Sequence, residues 1–271
     1  MKIAFIGAGN MASALIGGLV AQGNDPQDIL AIDPGADARA RVAASHGVRT
    51  GASVEAVGLA SLDAIVLAVK PQVLRTVAQQ LAPLLERQLI ISVAAGIRMQ
   101  DLSRWLGGYG QLVRAMPNTP AQIGLGATGL AALAQVSAQQ KALAGAVMQA
   151  VGLAVWVEQE SQLDAVTAVS GSGPAYVFYF IEALADAGIQ MGLSPAQAEA
   201  LALATFNGAA QLASTAGEPP AILRERVTSK GGTTAAALAC FAQADIRQRI
   251  IEGAIAAKLR AAQIGNEMGA L

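Results

Sequence analysis

The chain has 271 residues and a formal net charge of −1, so no basic footprint points to nucleic acid or to an anionic membrane. Its single cysteine, Cys240, excludes an intramolecular disulfide and a cysteine-based metal cluster, and its single histidine, His46, excludes a His-rich zinc site. The length suggests about two domains with a large core, and the expected partners are small molecules and protein, with no metal.

The apolar run Lys2–Ile6 leads into Gly7-Ala8-Gly9-Asn10-Met11-Ala12 and then into a helical pattern reaching Val20. Glycines at a strand-to-helix turn allow a tight bend and close approach of backbone to a pyrophosphate, while the small Ala12 lets helix and strand pack closely. Phosphate would rest on the free N–H groups of the helix start. Asp33 ends the next strand-like run, Ile29–Asp33, where a carboxylate commonly holds a ribose 2′-hydroxyl. This frame predicts a dinucleotide site.

Pro34-Gly35 opens a helix near Ala36–Ser45, closed by His46-Gly47, where a solvated helix end is expected for the histidine. A short strand at Val48–Thr50, a helix capped by Ser53 and a buried strand at Asp63–Val69 follow. Lys70-Pro71 places proline at the first position of a helix over Gln72–Leu81. A strand at Leu89–Val93 ends in Ala94-Ala95-Gly96, before a helix near Met99–Leu106 and a strand at Gln111–Ala115. This alternation predicts an α/β fold with a parallel, doubly wound sheet. After the rigid loop Met116–Pro120 come strands at Gly126–Leu133 and Leu153–Val157, with a helix at Ala138–Ala150 between them.

Beyond Glu158 only helical runs remain, at Ser161–Val169, Pro174–Met191, Pro195–Ala213, Pro219–Val227, Thr233–Cys240 and Asp245–Gln263. The expected domains are a Rossmann-type dinucleotide-binding half, 1–158, and an all-α half, 159–271. Between Ala198 and Ala213 only Glu199, Thr205, Asn207 and Gln211 interrupt small apolar residues. A helix of that kind is expected to be buried nearly all round, which predicts a homodimer or higher homo-oligomer through this half. No secretory pattern opens the sequence, and the helices carry charges such as Glu182 and Asp186, so a soluble cytoplasmic protein is expected.

Ser170-Gly171-Ser172-Gly173-Pro174 lacks the first glycine of a nucleophile elbow and has no histidine to serve it, so it reads as a helix-start loop. Such scarcity suits a reaction whose hard step belongs to a cofactor, and hydride transfer is one. In Val227-Thr228-Ser229-Lys230-Gly231-Gly232-Thr233-Thr234 two glycines and several hydroxyls precede an alanine-rich helix. A carboxylate fits such a donor cluster; a plain threonine N-cap is the competing explanation.

With these motifs in order, the sequence resembles the pyrroline-5-carboxylate reductases. The resemblance is carried by Phe5–Met11, Ala68–Pro71, Ser92–Gly96, Arg114–Pro120, Asp164–Thr167, Ser170–Tyr176 and Ser229–Thr234. It implies reduction of a cyclic imine carboxylate to L-proline, a helical dimerisation domain, and active sites where two subunits meet. By the same resemblance Ile6, Gly7, Ala8, Gly9, Asn10 and Met11 cradle the pyrophosphate. Ala68, Val69, Lys70 and Pro71, with Ala94, Ala95 and Gly96, line the nicotinamide side, and Asn118 holds the neighbouring loop or simply makes its turn. Ser229, Gly231, Gly232 and Thr233 surround the substrate carboxylate, and Thr234 stands beside the imine nitrogen as the catalytic residue. Lys230 occupies a position where many members carry proline. Asp33 argues for NADH and the family for NADPH, with Arg39 and Arg41 as candidate phosphate partners; NADPH is the expected cofactor and NADH the alternative. Competing readings are a β-hydroxyacid dehydrogenase with Lys258 as base, and a non-catalytic dinucleotide sensor.

Overall fold

A computed structural model of the chain describes residues 1–54 and 58–269. Its strands are β1 Ile3–Ile6, β2 Ile29–Ile32, β3 Arg49–Gly51, β4 Ala64–Leu67, β5 Leu89–Ser92, β6 Leu112–Met116, β7 Gly126–Ala132 and β8 Gly152–Trp156. They form one sheet in the order β3-β2-β1-β4-β5-β6-β7-β8. The order reverses between β1 and β4, the switch point at which a doubly wound fold receives a nucleotide. β1, β2, β4 and β5 are buried along their whole length, as expected of strands covered on both faces.

Helices α1 Asn10–Ala21, α2 Ala36–His46, α3 Pro71–Leu81, α4 Met99–Trp105 and α5 Ala138–Gln149 alternate with these strands. Two apolar layers result. One packs Leu15, Ile16 and Leu19 of α1 and Val147 and Met148 of α5 against Phe5, Val66 and Ile91. The other packs Leu74 and Leu81 of α3 and Leu102 and Trp105 of α4 against Ile65, Leu67 and Ile90. Of the helix expected after Ser53, residues 55–57 lie outside the described residues, and residues 58–62, which are described, form turns and no helix.

The alternation predicts a parallel sheet, and the sheet departs from it at one pair. β7 runs antiparallel to β6 and β8 parallel to β7. The link from β6 to β7 holds a 3-10 turn, Thr119–Ile123, and no crossover helix, so β7 can only return alongside β6 in the opposite sense.

Past β8 the chain forms α6 Leu163–Val166 and a π-helical turn at Thr167–Gly171, in place of one helix over Ser161–Val169. Then come α7 Gly173–Gln190, α8 Pro195–Thr215, α9 Pro220–Arg226, α10 Thr233–Gln243 and α11 Ile246–Gly269. The chain divides into one compact unit of Met1–Ser172 with Ala257–Leu271, and a second of Gly173–Ala256. The first unit runs past residue 158 because Leu163 and Val166 pack on β7, so close to Gly129 that a Cβ there would lie 2.7 Å from a Val166 methyl.

In the second unit α8 keeps only Ala198 and Ala202 buried, whereas Leu201, Leu203 and Leu212 are each 57% exposed. The expected all-round burial is therefore not met within one chain, which is too small to cover this helix. No helix among the described residues is long and apolar enough to cross a membrane.

Candidate functional site

The carboxyl ends of the strands are stitched into one rim. The Gly7 amide donates to the Ile32 carbonyl at 2.7 Å, Ala68 to Ile6 at 2.8 Å and Val93 to Leu67 at 3.1 Å. Gly7 has φ +100, and a Cβ there would sit 2.6 Å from the Ala68 carbonyl oxygen, so only glycine fits between β1 and β4. At Gly9, the N-cap of α1, a Cβ would meet nothing within 4 Å. No side chain caps this helix and Gly9 and Asn10 are exposed, so its first N–H groups are left for a ligand, as a pyrophosphate requires. Ala12 is fully buried beneath the turn, consistent with close helix–strand packing. These residues fit a dinucleotide.

At the end of β2 the Asp33 carboxylate accepts the Ala8 amide at 2.9 Å and the Gly35 amide at 2.8 Å. Arg39 donates through Nη1 to the Asp33 and Pro34 carbonyls at 2.7 and 2.9 Å. Lys70 is exposed at the N-cap of α3, with Pro71 as the first helical residue. Ala94 is buried and Ala95 exposed, while Gly96 has φ +77 and a Cβ on it would lie 2.7 Å from Cγ2 of Ile264. The end of α11 thus rests on this turn, and Arg98 donates to the Ala262 carbonyl at 3.3 Å beside it.

Asn118 works at both ends of its amide, donating to the Ser170 carbonyl at 3.0 Å and accepting the Ala127 amide at 2.8 Å. It ties the Met116–Pro120 loop to β7 and to the π-helical turn, a distortion often found at functional sites. The same region holds a part-buried ion pair. Arg114 on β6 lies 3.0 Å from Glu160, whose carboxylate also accepts the Met99 amide at the start of α4 at 2.7 Å. Glu160 was not singled out from the sequence; the signal was Arg114 itself, a cation inside an apolar strand that needs a partner.

His46 is half-buried, not the solvated helix end expected of it. Its Nε2 lies 2.9 Å from the Ser13 hydroxyl, and a Cβ on Gly17 would come within 2.9 Å of the ring. Glycine at that position lets the imidazole lie against α1.

In the second unit Ser229, Gly231, Gly232, Thr233 and Thr234 come together at the start of α10. The Gly232 amide donates to the Ser229 carbonyl at 3.0 Å and Gly231 has φ +72. A Cβ on Gly232 would press to 2.7 Å from the Ser229 hydroxyl. The N-cap is Gly232, and no side chain caps α10. The threonine-cap explanation therefore fails: the hydroxyls of Thr233 and Thr234 are not spent on their own helix. Lys258, the base of the dehydrogenase reading, is exposed on α11.

Two family models match the chain, one described as pyrroline-5-carboxylate reductase dimerisation over residues 160–264 and one as NADP oxidoreductase, coenzyme F420-dependent, over residues 2–96. A curated pyrroline-5-carboxylate reductase of Pseudomonas aeruginosa is 50% identical over 99% of this chain and 98% of its own. One from Arabidopsis thaliana is 37% identical over 97% and 95%. Among solved structures, a pyrroline-5-carboxylate reductase from Coxiella burnetii superposes with a TM-score of 0.93 at 40% identity, covering 97% of this chain and 98% of that one. A Plasmodium falciparum pyrroline carboxylate reductase with NADP bound gives 0.84 at 28% identity, covering 98% of both chains.

Proposed function

The chain belongs to the pyrroline-5-carboxylate reductase family, and we propose that it reduces L-1-pyrroline-5-carboxylate to L-proline with NADPH, with NADH as a second reductant, completing proline biosynthesis. The observation that carries this reading is the start of α10, where glycine takes the cap and two threonine hydroxyls remain for a ligand. When bound, NADPH supplies the hydride. Ile6 to Met11 hold its pyrophosphate, Asp33 shapes the ribose end, Ala68 to Pro71 and Ala94 to Gly96 line the nicotinamide, and Asn118 braces the adjoining loop. Ser229, Gly231, Gly232 and Thr233 receive the substrate carboxylate through amide and hydroxyl donors.

Thr234 places its hydroxyl at the imine nitrogen. Hydride arriving at the imine carbon breaks the C=N π bond, and the nitrogen takes a proton from Thr234 or from a water that it holds, the donor being reprotonated from solvent. The functional division is a dinucleotide half, 1–158, and a substrate and dimerisation half, 159–271. The exposed apolar faces of α7, α8 and α11 support a homodimer or larger assembly, which sedimentation at micromolar protomer concentration would test. A lone cysteine suits a cytoplasmic setting. Initial rates of NADPH oxidation with pyrroline-5-carboxylate test the reading as a whole. Imine-dependent consumption is expected; oxidation of a β-hydroxy acid without imine reduction would replace it.

A further inference from the structure

A carboxylate at the end of the second strand of a dinucleotide fold commonly takes the ribose 2′-hydroxyl and repels a 2′-phosphate. Asp33 stands at that position, but both of its oxygens are engaged by backbone, Oδ2 by the Ala8 amide and Oδ1 by that of Gly35. Its charge is turned toward the glycine loop and met by two N–H dipoles. Above it, Nη1 of Arg39 is tethered to the Asp33 and Pro34 carbonyls at 2.7 and 2.9 Å. These two bonds hold the guanidinium at the carboxyl end of β2, and among the described residues no carboxylate pairs with it. The donors on Nε and Nη2 remain for a ligand. Asp37 and Arg41 lie two residues to either side along α2 and so point away from the face Arg39 uses.

We propose that Arg39 selects NADPH over NADH by binding the adenosine 2′-phosphate, while Asp33, restrained by the two amides, accepts either ribose. The assignment rests on the NADPH reading above. Its test is calorimetric titration of the full-length protein and its Arg39→Met and Arg41→Met variants with adenosine 2′,5′-bisphosphate and with AMP. The unaltered protein binds the bisphosphate more tightly than AMP. Arg39→Met loses roughly tenfold to hundredfold affinity for the bisphosphate, the range for a charge-assisted phosphate contact, and keeps its AMP affinity; Arg41→Met keeps both. An unaltered protein that does not prefer the bisphosphate overturns the NADPH reading and this assignment together. If that preference is present but survives in Arg39→Met, only the assignment falls. Equal loss of AMP and bisphosphate in Arg39→Met also overturns it, because Arg39 would then organise the pocket without selecting the phosphate.

Discussion

Replacing Glu160 by alanine removes the only carboxylate paired with Arg114 among the described residues. The Arg114 side chain is 6% exposed and that of Glu160 24%. Breaking a buried pair from one side costs about 3–5 kcal/mol, because the remaining ion stays desolvated. The partial exposure of Glu160 lowers the estimate, and the stranded Met99 amide adds about 1 kcal/mol, so a loss of roughly 3–4 kcal/mol is expected. Arg114→Met should cost less, about 1–2 kcal/mol, since Glu160 can turn to water and methionine fills the strand position. If the two groups act as a pair, the double variant is more stable than the sum of the single losses by about 1.5 kcal/mol or more. For a unit of this size each kcal/mol moves the midpoint by about 2–4 °C. Thermal melts followed by circular dichroism, at one protomer concentration because association contributes to stability, would measure the cycle. Additivity within about 0.5 kcal/mol would refute the coupling.

Gly7→Ala should abolish measurable NADP+ binding in calorimetry, because its Cβ would lie 2.6 Å from the Ala68 carbonyl in a left-handed backbone; retained affinity would mean that the rim can open there. Thr234→Ala should lower turnover by roughly tenfold or more, with Thr234→Ser recovering most of it; single-turnover rates that do not change would remove the hydroxyl from proton transfer. Burial raises the pKa of Tyr109, whose hydroxyl donates to the Gln88 carbonyl at 2.8 Å. The unfolded tyrosine ionises first, near pH 10, so stability falls as pH rises through that value. Tyr109→Phe should lose less over the same interval in denaturant titrations, and parallel losses would exclude the effect.

Much of the nucleotide half was legible because single residue types carry single physical demands there. Gly7 reads as a turn that no side chain fits, and four consecutive apolar residues at Ala64–Leu67 read as a strand covered on both faces. The antiparallel β7 was hidden because Gly126–Ala132 has the same composition whichever way it runs; the short link before it was the available clue. In Thr167–Gly171 the first three residues looked like ordinary helix and Ser170-Gly171 like a helix-start loop, since widening a helical turn leaves no trace in the apolar spacing. The cluster at Ser229–Thr234 was readable as a donor site, but its choice between cap and cradle turned on Gly232, whose place at the N-cap only coordinates reveal. His46 misled because Gly17, the residue that admits its ring, lies far away in sequence. The small apolar surface of α8 was read correctly as residues in need of cover, but a chain read alone does not say that so much of it would stay open within one protomer.

Hydride delivery to the imine carbon is tested most directly by incubating the purified protein with pyrroline-5-carboxylate and NADPH carrying deuterium at the transferable nicotinamide position, followed by mass spectrometry of the product. L-proline bearing one deuterium at the former imine carbon, formed one for one with NADP+, is the expected product. Unlabelled proline, or cofactor oxidised with no proline formed, would contradict it.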